Sequence, residues 1–142
     1  MLSPKKMLHR KVFKGKIKGV ASAGAGLQFG FFGLKACEPC RMTARQIEAA
    51  RRCIARAMKR EGKFWCRVFP HMPVSAKSSD SRMGGGKGNI DRYVAKVYPG
   101  TMIFELAGVT AEVAKKAFGL AAEKLSIKSK YIEKEEGVYV EY

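Results

Sequence analysis

Thr43-Ala-Arg-Gln-Ile-Glu-Ala-Ala-Arg-Arg-Cys-Ile-Ala-Arg-Ala-Met-Lys-Arg60 is the stretch from which the rest of the chain can be placed. Thr43 and Gln46 form a capping box: the hydroxyl and the amide can each satisfy a backbone donor in the first helical turn. Ile47, Ala50, Ile54, Ala57 and Met58 then recur at helical spacing and define a buried face. Arg45, Arg52, Arg56 and Lys59 fall at offsets of 7, 4 and 3 along another face, flanked by Arg51 and Arg60. A charged stripe is ordinarily the wet side of a helix. Here Glu48 is the one acid in it, and guanidinium forks suit bidentate phosphate contacts, so the pattern points to a polyanion.

Outward from this helix, charge is unevenly placed. The chain has 142 residues and a formal net charge of +16. Residues 1–96 carry 22 Lys/Arg against 5 Asp/Glu, whereas 97–142 carry 6 against 7. Such an excess pushes a compact state apart unless a polyanion neutralises it. No apolar run approaches the roughly 18 residues that a membrane span needs. The bases do not lie on one amphipathic helix either, so a membrane is not expected as partner.

Met1–Gly19 is a basic arm with Lys5, Lys6, Arg10, Lys11, Lys14, Lys16 and Lys18 and no acid. It lacks the apolar stretch of a secretory signal, and Gly15 and Gly19 interrupt a transit-type helix, so we expect an arm that orders against RNA. Leu27–Leu34 is expected to be a strand with glycines at bends. Gly24-Ala-Gly26-Leu-Gln-Phe-Gly30 lacks the preceding apolar strand of a dinucleotide fingerprint. Lys63–Phe69 has strand composition, and Trp65 within it is expected in the core.

Pro70–Asn89 is expected as a long loop, and loops of this length tend to be functional or disordered. It carries Lys77 and ends in Arg82-Met83-Gly84-Gly85-Gly86-Lys87-Gly88-Asn89, where backbone without Cβ atoms can approach a crowded anion closely. Tyr93–Tyr98 and Thr101–Leu106 read as a hairpin turning at Pro99-Gly100. Thr110 caps a second helix whose core stripe is expected at Val113, Ala117, Leu120, Ala121 and Leu125. Tyr131–Ile132 and Val138–Val140 read as short terminal strands or extended tail.

The expected architecture is a single α+β domain over 1–142: a mostly antiparallel sheet packed against two helices. It divides into the arm at 1–19, a core at 20–130 with an extended loop at 70–89, and a tail at 131–142. No catalytic set can be assembled from His9 and His71, and the glycine run lacks the Lys-Ser/Thr step of a phosphate-binding loop. Cys37-Glu-Pro-Cys40 has no second cysteine pair to complete a zinc site, so no metal, no cofactor and reduced thiols are expected. Asp80 and Asp91 sit among Arg82, Lys87 and Arg92, which neutralise them. A free RNA chaperone and an RNA-processing enzyme are the rival classes.

Four passages resemble the L-sixteen family of bacterial-type large-subunit ribosomal proteins. They are Ser3-Pro-Lys-Lys6 with its arm, Leu34 through Arg52, Lys59-Arg-Glu-Gly-Lys-Phe-Trp-Cys-Arg-Val-Phe-Pro70, and Arg82 to Asn89. Cys37, Cys40, Cys66, Tyr93, Gly85 and Gly86 depart from the family pattern, and Glu133–Tyr142 has no counterpart in it. The resemblance implies a non-enzymatic constituent of the large subunit, in a bacterial cytoplasm or organelle matrix. It implies contact with large-subunit rRNA near the base of the central protuberance and with neighbouring ribosomal proteins. It also implies support of A-site and P-site tRNA positioning through the glycine-rich loop, and of late subunit assembly.

Overall fold

A computed structural model describes residues 1–134. The elements are β1 (Phe32–Ala36), β2 (Cys40–Thr43), α1 (Ala44–Ala57), β3 (Lys63–Cys66), β4 (Met72–Ala76), β5 (Asn89–Val97), β6 (Met102–Ala107), α2 (Ala111–Ala122) and β7 (Ser129–Glu133). The fold is α+β as expected, and its antiparallel strands are divided between two sheets, β3-β6-β1-β7 and β2-β5-β4.

β6 is central because it can bury both faces. Met102, Ile103, Phe104, Glu105 and Leu106 are all at most 1% exposed. One side of this sheet receives α2, which also packs along α1, while α1 reaches β2 and β5 of the smaller sheet. A single apolar cluster including Leu34, Ile47, Ile54, Val97, Phe104 and Phe118 joins these layers.

The capping box at Thr43 is present. Gln46 N–H donates to Thr43 Oγ1 at 3.3 Å, and Thr43 N–H donates to Gln46 Oε1 at 3.0 Å. Ile47, Ala50 and Ile54 are its buried residues, as the periodicity requires. Thr110 likewise caps α2, but the buried stripe there is Ala114, Ala117, Phe118 and Ala121. Val113 lies at the margin and Leu120 is 48% exposed. Ala117 and Ala121 are buried as expected, while Ala114 and Phe118 take the places expected of Val113 and Leu120; alanines on both helices, with Ala50 in the same cluster, permit close helix approach.

Other expectations require correction. The strand expected at Leu27–Leu34 begins at Phe32 and ends at Ala36, because residues 28–30 direct their amides to the Glu105 carboxylate. Thr101 N–H does close a turn on Tyr98 O at 3.1 Å, yet β5 and β6 do not form a hairpin. Ala36 bonds the linker on both sides, through Gly100 N–H at 2.7 Å and Thr101 O at 2.9 Å, and the chain crosses there from one sheet to the other.

The long loop is shorter than expected. β4 occupies Met72–Ala76, Pro70 and Met72 are buried, and the irregular segment is 77–88. Pro73 is tolerated because β4 is an edge strand, where a missing donor costs no ladder bond on the open side. Trp65 is half-buried rather than in the core, on edge strand β3, stacked at 6.1 Å on Phe29. The expected strand at Tyr131–Ile132 is β7, whereas Val138–Val140 falls outside the described residues.

Candidate nucleic-acid interface

The arm contains no regular element and lies along the three-stranded sheet. Arg41 Nη2 donates to Lys14 O at 3.2 Å and Gly15 O at 2.6 Å. Farther out, Lys5, Lys6 and Arg10 share a shallow groove with Ile90, Asp91 and Tyr93 of β5. Lys87 Nζ donates to Val12 O at 2.7 Å, and Lys11 Nζ donates to Lys87 O at 3.1 Å. The arm and the glycine-rich segment, some 75 residues apart in sequence, are therefore latched together. Lys5, Lys6, Arg10, Lys11, Lys14, Lys16 and Lys18 all remain exposed.

Within the loop, Gly84, Gly85 and Gly86 have φ of 95°, 73° and 92°. A Cβ at any of the three would meet nothing within 4 Å, so glycine is needed there for backbone conformation, not for space. Lys77 Nζ braces the turn through Gly84 O at 2.5 Å, and Arg82 and Met83 are exposed, while Lys87 reaches back to the arm. Gly88 is different. A Cβ there would lie 2.5 Å from Ala76 O, so it is held against the end of β4.

On α1, Arg45, Arg52, Arg56, Lys59 and Arg60 are exposed, as their spacing implied. Glu48 is consumed internally: Arg51 Nη2 donates to it at 2.6 Å and Arg52 Nε at 3.2 Å. The Arg51 hydrogen bond foremost, with Arg52 beyond it, lowers the Glu48 carboxyl to about 2 against the opposing effect of desolvation. Lys59 and Arg60 adopt left-handed backbone, φ 52° and 66°, which turns the chain back beside the helix. Arg51, Arg52, Arg56, Lys59 and Arg60 consequently line one concave surface around Ala55. Two such non-glycine conformations each cost on the order of 1 kcal/mol, tolerated where surrounding structure imposes them. The cations fall into two groups, one at α1 and one formed by the arm with the loop, and no hydrogen bond among the described residues joins them.

One functional arrangement was not anticipated. Glu105, fully buried, receives Phe29 N–H and Gly30 N–H at 2.7 Å each, Gln28 N–H at 3.2 Å, and Arg67 Nη1. Burial pushes its carboxyl upward, but the Gly30 and Phe29 amides and the Arg67 guanidinium outweigh burial and hold it below the ordinary value. The clamp fixes residues 21–30 as a strap across the four-stranded sheet, with Ala21 N–H on Pro99 O and Met102 N–H on Gly24 O, both at 2.9 Å. Its signal in the sequence is a lone acid inside the apolar run Met102–Ala107.

Cys37, Cys40, Cys53 and Cys66 are unbridged, and no group of three or more metal-ligating side chains occurs among the described residues. Asp91 pairs with Arg92 at 2.8 Å. Among the described residues no helix is long and apolar enough to cross a membrane.

A family model described as ribosomal protein L16p/L10e matches residues 4–132. The chain is 55% identical over 138 residues to a large ribosomal subunit protein uL16 of Hyphomonas neptunium, covering 97% of this chain and 100% of the relative. It is 54% identical over 134 residues to proteins of the same name in Sinorhizobium medicae and Agrobacterium fabrum, covering 94% of this chain and 98% of each.

Proposed function

The chain belongs to the ribosomal protein L16p/L10e family, and from that premise we propose that its two cationic groups bind large-subunit rRNA near the base of the central protuberance. As a family member it is a structural component of the large ribosomal subunit and not an enzyme. Its bacterial relatives make a cytoplasmic ribosome the expected setting. The α1 concavity carries the proposal: five cations line it, and the only acid on the helix is already paired. Phosphate contacts of this kind fix position and orientation without reading sequence.

The arm and latched loop form the second contact. Arg82, Met83 and Gly84 to Gly86 are exposed at the loop, with Lys87 and Gly88 anchoring its far end to the arm and β4, and this segment is the part proposed to reach towards A-site and P-site tRNA. Supporting tRNA position and late subunit assembly are its proposed roles.

Salt titration of binding to a large-subunit rRNA fragment tests the reading. Each neutralised phosphate contributes about −0.9 to the slope of log K against log salt, so Arg52→Glu with Arg56→Glu should flatten the slope by about 2 or more. The double variant should keep its thermal transition and cosediment less with large subunits at raised salt. A slope unchanged from wild type would remove α1 from the interface.

A further inference from the structure

The side of the four-stranded sheet opposite the helices carries a surface that neither cationic group includes. Strand registers place Trp65, Glu105, Gly33 and Ile132 in one row across β3, β6, β1 and β7. Side chains alternate along a strand, so Lys63 of β3 lies on the same face as Trp65. The strap adds Phe29, 56% exposed, whose ring stacks on Trp65 with an interplanar angle of 21°. Arg67 places its guanidinium carbon 5.1 Å from the Phe29 ring centre, and Lys134 stands 5.9 Å from that of Phe31, itself 59% exposed.

Two physical points select the ligand. First, the platform is anchored: the Phe29 amide is bonded to buried Glu105, and the exposed ring rests on Trp65. Second, the described residues make the face cationic. Glu105 is matched by Arg67, which leaves Lys63 and Lys134 with no carboxylate partner among the described residues. Aromatic rings interleaved with unpaired cations are the chemistry of single-stranded nucleic acid, whose bases stack while phosphates meet the ammonium groups.

We propose that this face is a third RNA surface, on which an unpaired base stacks against Phe29 beside Trp65 while Lys63 and Lys134 take adjacent phosphates. The proposal rests on the RNA reading above and adds a contact to bases, which the arm, loop and α1 do not supply.

Trp65 is the only tryptophan, so its fluorescence reports this face alone. The full chain is titrated at low salt with a short oligouridylate and with an abasic oligoribonucleotide of equal length. Tighter binding of oligouridylate, with quenching that the abasic strand does not produce, is the expected result. Phe29→Ala should weaken oligouridylate binding about 5- to 150-fold and bring it level with the abasic probe. Because that change also removes a contact of Trp65, Lys63→Glu is measured alongside it and should weaken both probes. Equal affinity for the two probes without quenching overturns the proposal, as does unchanged oligouridylate affinity in Phe29→Ala, the result expected if a protein covers this face. In both cases salt-sensitive binding of the probes would leave the phosphate reading standing. Failure of both probes to bind at all would end both readings.

Discussion

Replacing Glu105 by Gln tests the clamp most directly, because it preserves shape and removes only charge and one acceptor. Oε2 receives Phe29 and Gly30 amides at 2.7 Å, while Oε1 receives Arg67. A glutamine NH2 must face one of these donor sets. Facing Arg67 is the cheaper choice, since the Arg67 side chain is 14% exposed and already bonds Gln28 Oε1 at 3.0 Å. Breaking a buried pair by removing one partner costs about 3 to 5 kcal/mol, and partial escape of Arg67 to water favours the lower end. For a chain of this length about 3 kcal/mol lowers the melting temperature by roughly 10 °C. Circular dichroism melts at neutral pH measure it. A fall of less than about 2 °C would refute the clamp as an energetic element.

Acid titration adds a second reading of the same group. The folded-state carboxyl lies below its ordinary value of 4.5, so its contribution is complete above that value. It disappears as pH falls through the lower folded value. The Gln variant lacks this dependence, so the gap in melting temperature between the two proteins should narrow with acidification.

Other substitutions probe separate parts. Thr43→Ala removes the α1 cap and should cost about 1 kcal/mol, visible as a small drop in melting temperature with RNA affinity per folded molecule unchanged. Gly30→Ala would set a Cβ 2.5 Å from Leu106 O, a backbone atom, and should cost about 3 kcal/mol in denaturant titration. Arg82→Glu, on the exposed loop, should leave melting unaltered within about 0.5 kcal/mol yet impair subunit maturation or tRNA-dependent steps in reconstituted translation. Normal subunit yield and translation would dismiss the loop's role.

Local signals were the legible ones. The Thr43–Gln46 box and the Ile47, Ala50, Ile54 spacing depend on neighbours within two turns, so α1 could be read directly. Exposure of its arginines followed from the same periodicity. Pairing partners were not legible in that way. Pro99-Gly100 makes its turn, but whether β5 and β6 then pair depends on Ala36, more than 60 residues earlier. Trp65 was misjudged because strand composition does not reveal that β3 is an edge. Nothing near Glu105 in sequence announces that residues 28–30 will come to it, and the arm–loop latch likewise joins lysines to distant carbonyls that any residue possesses.

That latch gives ionic strength two opposite effects. Lys11 and Lys87 grip peptide dipoles, so two like-charged strands are kept side by side without a counter-charge between them. Added electrolyte shields their mutual repulsion far more than it weakens a short ammonium–carbonyl contact. In the unbound molecule, then, brine should tighten this clasp over the concentrations at which a polyelectrolyte partner is shed. A pair of probes, one on the arm and one on the loop tip, would register the two responses with contrary sign.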